Sequence, residues 1–248
     1  MNAVRNTWVR AALILSLLVP VYFVVAALGT RFGLWDWRLG FVTMTFRMGA
    51  PILMGAALIA LIGLLLALFV KPRTGWRSAL VALAIPAIGL GYAAHVRQQA
   101  QSIPPIHDIS TDLDNPPAFS QATMDARRAA NAANEVVSDP DVAAAQRAAY
   151  ADIQPITLNA PRDEAFDRAL AAARALNWTI AVENRDGGVI EANVSSFWYG
   201  FTDDIVVRVG EAGEGSVVDV RSVSRVGQSD LGANAARIRA FRDALTAA

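Results

Sequence analysis

The chain has 248 residues, of which 54% are hydrophobic. It contains no cysteine, which excludes disulfides, thiol catalysis and cysteine-ligated metal sites. Its two histidines are separated in the sequence, which argues against a histidine-rich metal centre. The formal net charge of zero conceals a split: residues 1–77 carry eight Lys/Arg and one acid, a charge of +7, whereas residues 97–248 carry fourteen Arg and twenty-one acids, a charge of −7. The acidic part argues against nucleic acid as a partner, because nucleic-acid binding needs a basic surface, and the basic part favours anionic lipid as its counter-ion.

Three long apolar runs in the first hundred residues predict three transmembrane helices, at about residues 9–28, 48–70 and 78–96. Each run is close to the ~20 helical residues that cross a ~30 Å hydrocarbon core, and soluble helices rarely stay apolar on every face over such a length. Arg10 stands at the start of the first run, and beyond it the runs contain no Asp, Glu, Lys or Arg. Transport by these helices alone is therefore not expected, because ion pathways generally need ionisable side chains.

Small residues recur at spacings of three and four along the second and third runs. They are Ala56, Ala60, Gly63 and Ala67 in the second run, and Ala79, Ala82, Pro86, Gly89 and Ala93 in the third. Such stripes let helix backbones approach closely in lipid, so they predict the seams along which the helices pack. The alternative is that the pattern only reflects the abundance of alanine in this chain.

The orientation in the membrane follows from the basic residues of the loops. Lys71, Arg73 and Arg77 crowd the short loop between the second and third runs, and Arg5 and Arg10 precede most of the first run. Short basic loops stay on the cytoplasmic side, which predicts a cytoplasmic N-terminus and places everything after residue 96 on the other side. The loop between the first two runs also carries three arginines against one acid, but it is longer and its charge is less dense.

After a membrane domain at residues 1–96, the sequence predicts a polar linker at residues 97–152 and a soluble domain at residues 153–248. The linker is rich in proline and contains two candidate helices, at residues 121–136 and 141–150. Residues 153–158 resemble a strand, but Pro155 limits it to the edge of a sheet.

The rest of the soluble domain alternates in a way that predicts a helix, four strands and a final helix. The first helix presents Phe166, Ala169, Leu170 and Ala173 on one face, and the final helix presents Ala235, Ile238, Phe241 and Leu245. The first three strands present, in turn, Trp178, Ile180 and Val182; Ile190, Ala192 and Val194; and Ile205, Val207 and Val209. A last strand is predicted at residues 216–225. Periodicities of 3.6 and 2 underlie these assignments, and Asp186-Gly187-Gly188 predicts a hairpin turn. Short connections require antiparallel pairing, so the predicted fold is three N-terminal transmembrane α-helices plus a soluble α+β domain, with an antiparallel sheet of four to five strands and helices packed on one face.

The other face of this sheet is strongly polar. It carries Glu191, Asn193, Asp204, Arg208, Asp219, Arg221 and Arg225. Opposite charges on one face of an antiparallel sheet are typical of a solvated surface, so we expect these side chains to face water.

Several motifs of the soluble part together resemble one known family. They are residues 190–192 (IEA), 200–204 (GFTDD) and 219–234 (DVRSVSRVGQSDLGAN), and the upstream segment 106–117 (IHDISTDLDNPP). These motifs resemble a bacterial family of uncharacterised membrane-anchored proteins, catalogued as domain of unknown function 1499, over roughly residues 103–248. The resemblance implies no activity, and a cysteine that some members carry near the start of the domain is missing here, so any cysteine-based role is excluded.

The arginine–serine motif and the start of the last helix form a candidate site for an anion. Its residues are Arg208, Asp219, Arg221, Ser222, Ser224, Arg225, Ser229, Asp230, Asn234 and Arg237. Guanidinium groups beside a helix N-terminus suit a carboxylate or a phosphate. The alternative is that the arginines pair with acids of the same chain, which predicts that a docking segment with His107, Asp108, Asp112 and Asp114 folds back onto this region.

Two acidic motifs give little support for a catalytic or metal-binding site. Adjacent strand residues point to opposite faces, so Asp203 and Asp204 do not converge as a catalytic carboxylate pair, and the acids of residues 108–114 lack the glycine and final glutamate of a calcium-binding loop. We therefore assign no catalytic residue, metal ligand or cofactor. The aromatic cluster Phe197, Trp198, Tyr199 and Phe201 predicts either a loop that covers the core or a contact with the bilayer surface or a partner protein.

Together these features predict a membrane-anchored binding or scaffolding module in the bacterial inner membrane, with a periplasmic domain that holds a partner envelope protein or a small anionic ligand. Two alternatives stay open at this point. One is a cofactor-independent envelope enzyme that uses carboxylates and arginines. The other is an accessory subunit of a larger membrane complex.

Overall fold

The computed structural model describes residues 2–136 and 139–247 and contains two compact units. The first unit comprises the chain up to residue 99 together with residues 197–200, and the second comprises residues 100–196 and 201–248. The short segment 197–200 therefore groups with the N-terminal helices, although the strands on either side of it belong to the second unit.

The regular elements of the first unit are all helices. Its elements are α1 (Asn2–Arg31), a π-helix (Arg38–Arg47), α2 (Gly49–Phe69) and α3 (Trp76–Gln101). The three α-helices are each long and apolar enough to cross a membrane, which confirms the prediction of three spans. The π-helix, in the loop between α1 and α2, was not predicted, because its residues show no distinctive period.

Small residues form the contacts between these helices, as the stripes predict. Two layers of buried side chains join α1, α2 and α3, namely Val9 with Ala67 and Ala79 and Ala12 with Ala60 and Ala82, and a third joins Val19 of α1 to Leu53 and Ala56 of α2. A Cβ atom at Gly89 would lie 2.6 Å from a methyl carbon of Leu53 of α2, so a larger residue there would force the Leu53 side chain to move. Ala93 is exposed, and the α3 stripe therefore does not continue to it.

The second unit is an α+β fold, as predicted. Its elements are β1 (Asp108–Ser110), α4 (Gln121–Ala129), α5 (Pro140–Ala149), β2 (Ile156–Leu158), α6 (Arg162–Ala175), β3 (Thr179–Asn184), β4 (Val189–Ser195), β5 (Thr202–Ala212), β6 (Gly215–Ser224) and α7 (Ala233–Thr246). The antiparallel sheet runs in the order β1-β6-β5-β4-β3, and β2 also pairs with β6. The sheet has six strands rather than four to five because β1 lies in the polar segment that the sequence suggests is a linker.

One face of the sheet carries the hydrophobic core, and α6 and α7 pack against it. Ile190, Ile205, Val207 and Val220 are completely buried there. Phe241 of α7 stacks on Trp178, with ring centroids 5.1 Å apart. Stacked aromatic rings add to the apolar area that this layer removes from water.

The helix predicted at residues 121–136 ends early, at Ala129. Asn131 adopts a left-handed backbone conformation with φ of 52°, which stops the helix. The amide groups of Ala133 and Asn134 then donate hydrogen bonds to the carbonyl oxygen of Arg225 in place of helical partners. The segment that follows α4 is thus fixed to the sheet by its backbone.

The alternation predicted for the first hairpin is wrong at Val182. Ile180 pairs with Ala192, but Val182 pairs with Glu191, because a β-bulge at Ala181 shifts the register. One extra residue in a strand moves the next side chain to the opposite face, so Val182 shares the polar face with Glu191.

Candidate functional site

The polar face of the sheet is buried, contrary to the expectation that it faces water. The exposed fraction is 1% for Glu191, 1% for Asp204, 4% for Asp219 and 6% for Arg221. Next to β1, which is itself a strand of the sheet, the chain from Thr111 through α4 to about residue 134 covers this face, and ion pairs and hydrogen bonds link the two. An ionised group that leaves water must find a charged or hydrogen-bonding partner, so these contacts determine what the face can do.

Asp204 of β5 lies between two arginines. Arg127 of α4 donates to its Oδ2 atom at 2.6 Å, and Arg225 donates to both carboxylate oxygens at 2.8 and 2.7 Å. The side chains of Arg127 and Asp204 are 3% and 2% exposed. A second N–H of Arg127 donates to the carbonyl oxygen of Asn134 at 3.0 Å, so α4 is tied both to the sheet and to the segment that follows it.

Glu191 of β4 is held by the first turn of α4. The Ser120 hydroxyl donates to one carboxylate oxygen at 2.8 Å, the Ser120 amide donates to the other, and the Thr123 hydroxyl donates as well. Ser120 is also the N-cap of α4, where its hydroxyl accepts from the Thr123 amide. A carboxylate near a helix N-terminus is favoured by the free amide groups and the helix dipole.

The docking segment, which includes the edge strand β1, pairs its aspartates with arginines of the sheet. Asp108 accepts from Arg221 through both oxygens, at 3.0 and 2.6 Å. Asp112 and Asp219 both accept from Arg208, at 2.8 and 2.7 Å. Asp108 and Asp112 thus lie within hydrogen-bond distance of arginines, as a segment that folds back requires.

The two ends of the docking segment behave differently from its centre. Asp114 is exposed and pairs with Arg147 of α5 at 2.7 Å. His107 contributes its carbonyl oxygen, which accepts from the side-chain amide of Asn234 at 3.0 Å.

The pKa of Asp112 is lowered in the folded protein. Burial acts to raise it, but hydrogen bonds from the Asn115 amide, the Arg208 guanidinium and the Asp114 amide outweigh the effect of burial.

A second polar cluster lies where β6 meets α7. The Ser222 hydroxyl donates to the Oδ1 atom of Asn234 at 2.7 Å, and the Asn234 side-chain amide donates to the Ser224 hydroxyl at 3.1 Å. Arg237 donates to Ser222 at 3.0 Å, to Asn234, and to Asp203 at 2.6 Å. Asn234 is completely buried and uses both its carbonyl and its amide group, so it fixes α7 against the strand.

Asp230 and Ser229 shape the turn before α7. Asp230 accepts from the backbone amides of Gly232 and Asn234, both at 2.8 Å, and Ser229 accepts from the Leu231 amide at 3.2 Å. Burial raises the pKa of Asp230, against the effect of these two amide bonds. Asp230 therefore serves as a cap of the helix start.

The ten residues of the predicted anion site are thus brought together, but on two sides of β6. Arg208, Arg221 and Arg225 belong to the polar face, whereas Ser222, Ser224, Asn234 and Arg237 belong to the cluster at α7. Each of the four arginines forms an ion pair with a carboxylate of the same unit. The arrangement is that of an internal network of ion pairs rather than of a cationic surface.

Sequence reasoning missed the residues of α4 that bury the polar face. These are Ser120, Thr123 and Arg127, together with Thr111, whose hydroxyl contacts Asp219 at 3.2 Å. One feature of the sequence indicates a packed face of this helix, because Thr123 and Arg127 are four residues apart and therefore lie on the same side. Their partners on the sheet are about 70 residues further along the chain, and local pattern does not connect them.

Two adjoining cavities lie beside the start of α5. Their volumes are about 290 and 240 Å³, and both are lined by Asp108, Asp139 and Val142. The larger also has an apolar wall that includes Leu113 and Pro140. Within residues 2–136 and 139–247, no group of three His, Asp or Glu side chains is placed to hold a metal ion.

The aromatic cluster is divided between the two units. Residues 197–200 belong to the first unit, where the Tyr199 hydroxyl lies 2.6 Å from the Thr45 hydroxyl and the Tyr199 ring packs edge-on against Phe41. Phe197 and Trp198 are exposed. Phe201 belongs to the second unit, and its amide donates to the Ser196 hydroxyl at 3.0 Å.

Comparison with known proteins identifies a family. A family model described as "Protein of unknown function (DUF1499)" matches residues 108–245, more than half of the chain. The matched range begins at Asp108 and includes α4, the whole sheet and most of α7, so it contains nearly all of the ion-pair network. No curated protein shows significant similarity to the chain.

Proposed function

The chain belongs to the DUF1499 family of proteins of unknown function, and from that premise we propose that it is a membrane-anchored binding module whose α+β unit holds a segment of a partner protein. The observation that carries this proposal is the pair of adjoining cavities beside α5. They share three lining residues, Asp108, Asp139 and Val142, so we treat them as one groove between the docking segment and α5. We call it the α5 groove.

The division of the groove into two small open cavities, of about 290 and 240 Å³, favours a protein segment over a single enclosed small molecule. Two adjoining small cavities suit successive side chains of a polypeptide that lies along the groove. Apolar walls with a polar rim are the usual anatomy of such an interface.

The charge of the groove favours a basic segment. Asp114, Glu135 and Asp139 are exposed at its rim, and Asp108 within it is already paired with Arg221. Arg147 offsets part of this charge through its contact with Asp114. We therefore expect the bound segment to carry Lys or Arg beside an apolar residue, since opposite charges across an interface speed association and exclude wrong partners.

The alternative of a cofactor-independent enzyme has weaker support. A catalytic carboxyl is usually a group with a perturbed pKa in a cleft. Asp230 has a raised pKa, but its carboxylate caps α7, and it does not line either cavity. The internal pairing of the arginines also favours a partner protein over a small anionic ligand.

The finer placement of this module is part of the proposal: an inner-membrane protein with a cytoplasmic N-terminus and a periplasmic α+β unit. Lys71 and Arg73 in the short loop between α2 and α3, and Arg77 in the first turn of α3, support it. Because the chain has no cysteine, single-cysteine variants report orientation directly. In intact spheroplasts, a membrane-impermeant maleimide should label Glu214→Cys but not Thr74→Cys, and the reverse labelling would refute the orientation.

The binding role is tested by photo-crosslinking in living cells. A photoreactive phenylalanine at position 143, in the groove, should give a discrete adduct with one protein, and the matched control at position 171, exposed on α6, should give none. Substituting both Asp114 and Glu135 by Lys should abolish the adduct without changing the amount of protein, and it leaves intact the Asp139 carboxylate that caps α5. The same adduct from both positions, or one insensitive to the charge reversal, would refute the proposed site.

A further inference from the structure

Large apolar side chains are exposed at one end of the helical unit. Phe32 and Phe46 of the connection between α1 and α2 are 69% and 77% exposed, and Phe197 and Trp198 of the segment 197–200 are 70% and 52% exposed. Exposed aromatic residues that occur together in this way mark a surface that contacts another apolar phase or a partner. The position of these residues relative to the ends of the spans identifies which of the two this surface contacts.

The connection between α1 and α2 lies where the spans end. α1 ends at Arg31 and α2 begins at Gly49, so residues 32–48 lie at the level where hydrocarbon gives way to lipid headgroups. Tryptophan and other aromatic side chains are enriched at that level, because they combine an apolar ring with polar surroundings. Trp35 and Trp37 of the same connection fit this preference.

Specific contacts hold the segment 197–200 at the same level. The Tyr199 hydroxyl lies 2.6 Å from the Thr45 hydroxyl, and the Tyr199 and Phe41 rings meet edge-on with centroids 5.1 Å apart. The Arg31 guanidinium lies over the Phe197 ring, 5.4 Å from its centroid, and also donates to the Phe197 carbonyl oxygen. Tyr199 is thus the fixed part of the segment, and the neighbouring Phe197 and Trp198 rings, which contact each other edge-on, project outward.

We propose that residues 197–200 are a second membrane contact of this protein, with Phe197 and Trp198 inserted into the interfacial layer of the bilayer beside the ends of α1 and α2. Lipid is the occupant because the surface continues the one that the three spans already require. The nearby charge agrees, since Arg31, Arg38 and Arg47 stand against a single acid, Asp36, and attract anionic headgroups. This contact is separate from the α5 groove and does not depend on it.

The test measures the environment of position 197 in the full-length protein. Phe197→Cys and a control, Glu214→Cys in the β5–β6 turn, each give one site for a nitroxide label. Both variants are placed in nanodiscs of phosphatidylethanolamine and phosphatidylglycerol, and the collision rates of the label with oxygen and with a water-soluble nickel complex are compared. We expect oxygen to dominate at position 197, as in lipid, and the nickel complex to dominate at position 214.

Two outcomes would overturn the proposal. One is a label at position 197 that is as accessible to nickel as the control, which means water. The other is a label that neither reagent reaches, which means contact with protein.

A second measurement keeps the native side chain at position 197. Lipids brominated close to the headgroup should quench the fluorescence of the unmodified protein more than that of Trp198→Phe, which retains an aromatic ring and the fold. Equal fractional quenching of the two proteins would remove the membrane contact of Trp198. Photo-crosslinking at position 143 should be the same in both, so failure of this inference is distinguishable from failure of the proposed binding role.

Discussion

The two faces of one sheet are buried by opposite means. On one face, Ile205 and Val207 lie beneath α6 and α7 in an apolar core. On the other, Asp204 and Val206 lie beneath α4 and the docking segment, and Asp204 is held by two arginines. The difference shows that a buried strand does not need an apolar covering if every buried charge is paired with an opposite charge or a hydrogen-bonding group.

The two coverings also differ in what they specify. Apolar contacts depend on volume and tolerate conservative exchange. Ion pairs and their hydrogen bonds depend on the position of each atom, so the contacts of Ser120, Thr123 and Arg127 fix where α4 lies. Loss of one member of such a set should therefore cost more than a conservative loss on the apolar side.

The largest expected effect is that of Asp204→Ala. This change leaves Arg127 and Arg225 without their shared carboxylate, and breaking a buried ion pair from one side costs about 3–5 kcal/mol in the free energy of unfolding. The measurement is urea unfolding of the full-length protein in detergent, followed by hydrogen exchange of the β5 and β6 amides.

The matched control replaces the whole set by apolar residues. Arg127→Met, Asp204→Leu and Arg225→Met together remove the charges as a group, and such replacements are often neutral or stabilising. We expect this triple variant to be more stable than Asp204→Ala alone. If Asp204→Ala unfolds at the same urea concentration as the native protein, the polar face does not stabilise the fold.

The apolar side of the comparison is tested one residue along the same strand. Ile205→Val removes one methylene group from a completely buried side chain, and we expect a loss of about 0.5–1.5 kcal/mol in the free energy of unfolding. Asp204 and Ile205 are neighbours on β5, so the same amides report both variants. A loss for Ile205→Val that exceeds the loss for Asp204→Ala would reverse the proposed difference between the faces.

The smallest expected effect concerns pH and Asp112. The pKa of Asp112 is lowered in the folded protein, so its contact with Arg208 stabilises the fold above the ordinary aspartate pKa of about 3.9 and is lost as the pH falls through the folded value. Asp112→Asn should therefore be less stable than the native protein near neutral pH, and the gap should close in acid.

The relevant quantity is the difference between the two proteins at each pH, because other carboxyls titrate in both. Arg208 keeps Asp219 as a partner in the variant, which limits the effect. A difference that stays constant down to acid pH would show that the charge of Asp112 does not contribute.

The parts of this structure that the sequence predicts are those set by local periodicity. The alternation of Ile190, Ala192 and Val194 predicts β4, the small-residue stripes predict the packing of α1 with α2 and α3, and Pro155 correctly limits β2 to the edge of the sheet. In strands every second side chain is buried, and in helices every third or fourth, so the spacing of apolar or small residues along the sequence indicates the element and its buried face.

The parts that it does not predict depend on long-range partners. Alternation shows that Glu191 and Asp204 share a polar face, but it does not show that Ser120 and Arg127 cover that face. Residues 112–134 are too polar to be recognised as a packing layer, because burial by ion pairs leaves no apolar signature. The bulge at Ala181 likewise follows from the pairing of two strands rather than from either strand alone.

The edges of the sheet limit how this unit can assemble. At one edge, β1 and β2 occupy successive stretches of β6, opposite residues 221–223 and 216–218. At the other, the bulge at Ala181 interrupts β3, and bulged edge strands are poor templates for another strand. Intermolecular sheet growth, the route to fibrils and to swapped strands, is therefore disfavoured at both edges.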